Sequence, residues 1–430
     1  MVAQNPSDIK LPPMRMIRQV YTRPPEINVA TEIDSQWDRI KDKLNLPAGA
    51  SVAIGVGSRG IANLVEVVRA VVARIRQKGY EPFIAPAMGS HGGATAEGQL
   101  KVLAHLGITE ASVAAPIRAT MEVISMGEAD GVPLFLDKWA HQADGVVLVN
   151  RIKPHTDFTG PTESGLIKML AVGLGNRIGA EHCHRLSVVR DMYEIISTAG
   201  RELLSRAGFL FGVGLVENQA HQTTILQMIL PEELEKAEAA LLKKARAFMP
   251  KLPLEEIDLL IIDELGKDIS GAGIDPVVTG RFNCGYRQRQ QPINISRIFV
   301  RDLTDASDGN AIGIGQADFT TQRLVAKIDP SSTMMNCLAS CCPQDGKIPL
   351  TFSVDREAVA AALMTLRPYT LQDLTIVYIK NTLELNQLMV SRGCLPYLEN
   401  RPDIQLAPES FRLDFDSAGN LISPFKTKYE

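Results

Sequence analysis

Short apolar runs that end in glycine set the rhythm of the first half of the chain. Ser51 to Gly57 (SVAIGVG) is rich in β-branched side chains and closes on glycine, which predicts a buried strand opening into a loop. From Ile61 to Lys78 the apolar positions recur at helical spacing and stop at Gly79, the pattern of an amphipathic helix. Glu81 to Ala87 reads as the next strand, and Thr95 as the N-cap of a helix running through Leu106 to Gly107. Gly145 to Asn150 (GVVLVN) is a further buried strand. Strands alternating with helices predict α/β structure with mostly parallel sheets, in which ligands sit at strand ends.

Pro231 to Phe248 reads as a charged amphipathic helix with proline at its start, presenting a solvated face, and residues 249–253 (MPKLP) have linker composition. Beyond them, 258–263, 293–300 and 374–379 read as strands alternating with helices such as 356–366. The expected organisation has four parts: an extended proline-rich arm over 1–25, an N-terminal α/β domain over 26–250 with the catalytic and cofactor loops, a second α/β domain over 256–392, and a tail of unassigned structure over 393–430. The active-site cleft is expected between the two α/β domains.

Composition narrows the class of partner. The 430 residues are 45% hydrophobic and 22% charged with a net charge of −4, the profile of a globular enzyme with more than one core. A basic stripe interleaved with aromatics is missing, which argues against nucleic acid, and so is an apolar run of about 18 residues, which argues against a membrane span. With no leader pattern at the start, a cytoplasmic protein is expected. Six cysteines without CxxC spacing read as reduced thiols, with Cys341 and Cys342 either soft-metal ligands or small buried side chains.

Candidate chemistry is densest from Asn150 to Gly175, where Arg151, Lys153, His155, Asp157, Glu163 and Lys168 crowd between an apolar strand and an apolar, glycine-rich segment. Lys168 lies within GLIKMLAVGLG and is expected to be partly buried, which eases loss of its proton, unless it snorkels from a helix end. His155 follows Pro154 and is expected on a loop, as a general acid/base or as a histidine satisfied by a carbonyl. Glu-His-Cys-His (181–184) offers metal-type donors; in a strand His182 and His184 would share a face. Gly57 to Gly60, which includes Arg59, and Gly89 to Thr95, which includes His91, are glycine-rich loops suited to a carboxylate or phosphate. In the second half, Lys267 and Arg281 are candidates for binding a carboxylate from the loop after strand 258–263, or lie in a solvent-facing turn.

Taken in order, Arg59, His91, His155, Lys168, His184 and Lys267 resemble the active-site series of the nickel-dependent lactate racemase family, strongly over about residues 50–185 and weakly beyond. The resemblance implies a nickel-pincer nucleotide, a pyridinium mononucleotide with thioacid groups. It would be attached through Lys168, with its nickel bound by His184. By the same resemblance, His91 and His155 are the two acid/bases at the substrate carbon and Arg59 and Lys267 grip the substrate carboxylate. The implied activity is racemisation or epimerisation of a small 2-hydroxy acid by hydride transfer.

The chain departs from that family in three places. It is a few residues longer between His155 and Lys168, it lacks the tyrosine-glutamine pair near Lys267, and its only tryptophans are Trp37 and Trp139. These departures point from lactate toward a larger or more acidic 2-hydroxy acid, or toward loss of the nickel group. Two other readings follow from the residues: a cofactor-free binding or regulatory protein for an anionic metabolite, and a zinc hydrolase built on His182 and His184.

Overall fold

Val52, Ile54 and Val56 enter one apolar layer while Ala53 enters another, so the strand Ser51–Val56 is covered on both faces. Val147 and Val149 share the first layer, and Val146 and Leu148 the second. This double burial is why these strands read as continuous apolar runs rather than alternating ones. The computed structural model describes residues 10–21, 24–284 and 293–425 and is α/β, with mostly parallel strand pairing. Within it the chain folds as two units, Arg23–Met249 and Met1–Thr22 with Pro250–Glu430.

In the Arg23–Met249 unit a five-stranded sheet runs in the order Glu81–Pro86, Ser51–Val56, Gly145–Arg151, Phe209–Glu217, Thr223–Ile229. The first four strands are parallel and the last is antiparallel. Helices Val29–Ile40 and Leu64–Gln77 pack on one face, and Met192–Arg206 and Leu234–Phe248 on the other. Thr95 caps helix Ala96–His105 by accepting the Gly98 amide. A two-stranded hairpin, Val123–Ala129 with Val132–Asp137, turns at Asp130 and Gly131, both at positive φ (47° and 74°). The helix Leu234–Phe248 corrects the expectation of a merely solvated face. Its buried stripe of Leu234, Leu241, Leu242 and Ala245 includes Glu238, which is fully buried.

The other unit is built on an eight-stranded sheet. Its parallel part runs Leu350–Phe352, Phe319–Thr321, Asn294–Leu303, Glu256–Leu265, Ile376–Ile379. Three antiparallel strands complete it: Gln387–Ser391, then Met14–Gln19 from the start of the chain, then Ile404–Phe411 from its end. From strand Asn294–Leu303, Arg301 donates to Asp263, Asp355, the Tyr378 hydroxyl and the Leu421 carbonyl, tying the tail to the sheet. Cys284 and Cys342 form a disulfide with Cα atoms 5.7 Å apart, which corrects the reading of all six cysteines as reduced thiols. Partners separated by 58 residues are brought together by the fold, a pairing that spacing does not encode. Among the described residues, no helix is long and apolar enough to cross a membrane.

Candidate functional site

Strands 81–86, 51–56 and 145–151 lie side by side and parallel, so the loops that follow them emerge at the same edge of the sheet. From 51–56 the chain proceeds to one neighbour, 81–86, and later returns on the opposite side as 145–151. Such a reversal opens a crevice at the strand ends where α/β sheets take ligands. These loops carry Ser58 and Arg59, His91, and His155. Gly57 lies close to Met169, and a Cβ on Gly173 would stand 2.8 Å from the Ala87 carbonyl oxygen. The turn Met169–Gly173, which directly follows Lys168, therefore lies against the ends of these strands.

Backbone pairing of Lys153 with Ser164 closes the loop that holds His155. Inside it Glu163, almost fully buried, accepts the His155 amide at 2.7 Å and the Gly160 amide at 3.0 Å, and pairs with Arg246 at 2.6 Å. Phe158 stacks on the imidazole with ring centroids 4.3 Å apart. The ring's two nitrogens are then distinguished by their partners. Nδ1 accepts the Asp157 amide at 2.9 Å, and Nε2 contacts Lys168 Nζ.

Burial lowers the Lys168 pKa to about 8, helped by the charge of Arg59 and opposed by Asp157 and Cys183. Desolvation also pushes the neighbouring Cys183 thiol up to about 12 and holds His184 below its usual range, with Asp157 opposing the second shift. For Arg59, desolvation and Arg151 lower the pKa while Asp157 raises it. Much of the Arg59 surface is open to solvent, so the charged guanidinium is the relevant form. Asp157 thus lies within electrostatic reach of Arg59, Lys168 and His184, which makes one neighbourhood of all three. Ser58 Oγ contacts His91 Nδ1 one residue before Arg59.

Helix Asn176–Leu186 carries His182 and His184, so the strand geometry considered for them does not occur. Two residues along a helix turn a side chain by roughly 200°, which separates the two rings. His182 Nδ1 bonds the Ile178 carbonyl at 2.9 Å and its ring lies 5.2 Å from that of Phe135. A zinc site shared by His182 and His184 is therefore not built. Among the described residues, the cluster of three metal-type donors is Cys284, Cys342 and Asp345, which belong to the other unit.

Lys267 lies in the other unit, where Nζ donates to the Gly271 carbonyl at 2.7 Å and to Asn336 Oδ1 at 3.0 Å. Arg281 is occupied structurally, paired with Asp318 at 2.7 Å and bonded to the carbonyls of Gln316, Ile295 and Ser296. Sequence reasoning left Glu163 without a role and missed Glu238, whose Oε2 accepts the Leu166 and Ile167 amides at 2.9 and 3.1 Å just before Lys168. Its signal was visible as a glutamate in line with the apolar stripe of its helix.

Fold and site together define an α/β protein that presents a half-buried, deprotonatable lysine beside an imidazole at the carboxyl ends of parallel strands. No family model matches the chain, and no curated protein matches it. Among solved structures it is similar in fold to the lactate racemase apoprotein from Thermoanaerobacterium thermosaccharolyticum, with a TM-score of 0.50 and 14% identity over 83% of this chain and 82% of that one. Likeness at that identity speaks for the architecture alone.

Proposed function

We propose that the chain is a racemase or epimerase of a small 2-hydroxy acid that carries a nickel-pincer nucleotide on Lys168. The observation behind this reading is the Lys168 amine, whose pKa burial lowers to about 8 and whose Nζ meets the His155 ring. An amine attaches covalently to an acyl or thioacyl carbon only through its lone pair, so the residue fits the group. When bound, such a group supplies a hydride acceptor. His184 offers a neutral imidazole nitrogen to the nickel.

The remaining chemistry falls to this chain's own side chains. Arg59 binds the substrate carboxylate with its fixed charge and forked donors. His155 and His91 each take the 2-hydroxyl proton of one enantiomer and return a proton to the other, since inversion requires an acid/base for each hand of the substrate. Ser58 holds the His91 ring by its Nδ1. The reading rests on the Arg23–Met249 unit alone and assigns no role to Lys267.

The test is mass spectrometry of protein made together with the enzymes that synthesise the nucleotide, combined with nickel analysis and a screen of 2-hydroxy acids for loss of optical activity. A mass increment on the peptide containing Lys168 is expected. An unmodified Lys168 under those conditions sinks the cofactor assignment.

A further inference from the structure

Far from Lys168 in sequence, three sulfur-bearing side chains gather around one carboxylate. Cys342 and Asp345 are buried, Cys284 is half-buried, and their donor atoms all lie within 4.8 Å of one another. Asn283 Nδ2 holds Asp345 Oδ1 at 2.9 Å, and the Asp345 carbonyl accepts the Gly313 amide at 2.9 Å, so the turn Pro343–Gly346 is fixed around the pair. A third sulfur, Cys337, is buried against Gly346, where a Cβ would stand 2.9 Å from Sγ. Its thiol is raised by burial and by Asp345, with Lys267 opposing, so it stays protonated beside the bridge. The residue before it, Asn336, accepts a hydrogen bond from Lys267 Nζ at 3.0 Å.

We propose that Cys284 and Cys342 are a reversible thiol–disulfide site, oxidised and reduced by small-molecule thiols and disulfides. The Cα separation of 5.7 Å lies at the centre of the range a disulfide requires, so closing or opening the bond asks little of the backbone. Accessibility assigns the roles. Cys284, the half-buried partner, is the sulfur that a dissolved disulfide reaches, and its thiolate attacks one sulfur of that molecule and expels the other as a thiolate. Cys342 then attacks Cys284 Sγ, closing the bridge and expelling the second small thiolate. Two protein thiols are oxidised and one small disulfide is reduced; the protons lost by the attacking thiols go to the leaving thiolates. A bridge buried on both sides would resist such exchange. This one has an accessible end, and the helix Pro330–Ala339 beside it carries the partner of Lys267.

The experiment equilibrates the full-length protein in buffers spanning reduced to oxidised glutathione, quenches with acid, alkylates free thiols and identifies linked peptides by mass spectrometry. The Cys284–Cys342 link is expected to pass from absent to complete across the series and to return to absent when the ratio is reversed. Cys337→Ser is expected to leave that titration unchanged and Cys284→Ser to abolish the link. Three results overturn the proposal: both cysteines alkylated at every ratio, a link that persists at the most reducing ratio, or a link from Cys342 to Cys337 instead. A fourth comes from adding zinc to the reduced protein. If zinc binds one per chain, protects both cysteines from alkylation and is lost in Cys284→Ser, the pair is a metal ligand set and the redox assignment fails.

Discussion

Lys168 Nζ meets Nε2 of His155 while the other nitrogen of that ring accepts the Asp157 amide. With a pKa of about 8, half of the Lys168 amine is neutral at that pH, against well under one part in a hundred for a lysine near 10.4. Competitive acylation read by mass spectrometry is expected to show Lys168 reactivity levelling off above pH 8, whereas an ordinary lysine keeps gaining up to about pH 10. The sign for stability follows. Between those two values the unfolded chain holds a proton that the folded chain has released, so this group makes the fold more stable as pH rises. Reactivity that climbs without a plateau to pH 10 contradicts the neutral amine.

Glu163→Ala removes the acceptor of the His155 and Gly160 amides and the partner of Arg246. Loss of about 3 kcal/mol is expected by urea denaturation, the scale for leaving buried donors and a charge without their acceptor. A loss below about 1 kcal/mol means that other contacts hold the 154–163 loop.

Glu238 is the converse case. Burial raises its carboxyl to about 7, and its Oε1 has no hydrogen-bond partner, while Oε2 accepts two amides. The folded state therefore holds a proton that the unfolded chain releases between about pH 4.5 and 7. This group's contribution to stability falls as pH rises through that window, by about 3 kcal/mol in all. Glu238→Gln cannot titrate, so the difference in unfolding free energy between variant and wild type is expected to shift by that amount from pH 4.5 to pH 7.5. A difference that does not change with pH removes the buried titration.

Within the proposed reaction, His91→Ala and His155→Ala are each expected to abolish full racemisation while Lys168 remains modified, because inversion uses both bases in one turnover. Nickel content separates the remaining roles: His184→Ala loses the metal but keeps the adduct, and Lys168→Ala loses both. Arg59→Ala is expected to act mainly through KM, at a cost of about 1.5–3 kcal/mol for a charge-assisted bond to a carboxylate. Near-normal racemisation by His155→Ala removes that histidine from the site.

Arg301→Met is expected to destabilise the unit that contains it by about 3–5 kcal/mol, because it strands Asp263 and one face of Asp355 in a buried setting. Chemical denaturation measures this directly. A neutral effect shows that Arg323, which also pairs with Asp355, suffices.

Legibility in the sequence follows the range of the forces involved. Strands 51–56, 81–86 and 145–151 were readable because double burial makes them apolar throughout, and the Thr95 cap because its partner, Gly98, is three residues away. The crowding of His155 and Lys168 was visible as composition. The contact between their nitrogens was not, since it depends on a loop closed by Lys153 and Ser164 and braced by Arg246 from another helix. The hairpin at Asp130 and Gly131 carried a local turn signal that was not used. By contrast, strand Ile404–Phe411 is largely exposed and contains Pro408, so it has neither strong alternation nor an apolar run.

The place of Met14–Gln19 between Gln387–Ser391 and Ile404–Phe411 also sets an order of events during synthesis. Met14 leaves the ribosome first among the described strand residues, yet its partner Ser391 is made 377 residues later, an interval of roughly 20–75 s at ordinary translation speeds. The Arg23–Met249 unit has all its strands by then and is free to fold first. In the other unit, Met14–Gln19 has no strand to pair with until Gln387–Ser391 and Ile404–Phe411 are made, and that interval is when a chaperone holding this segment would matter most.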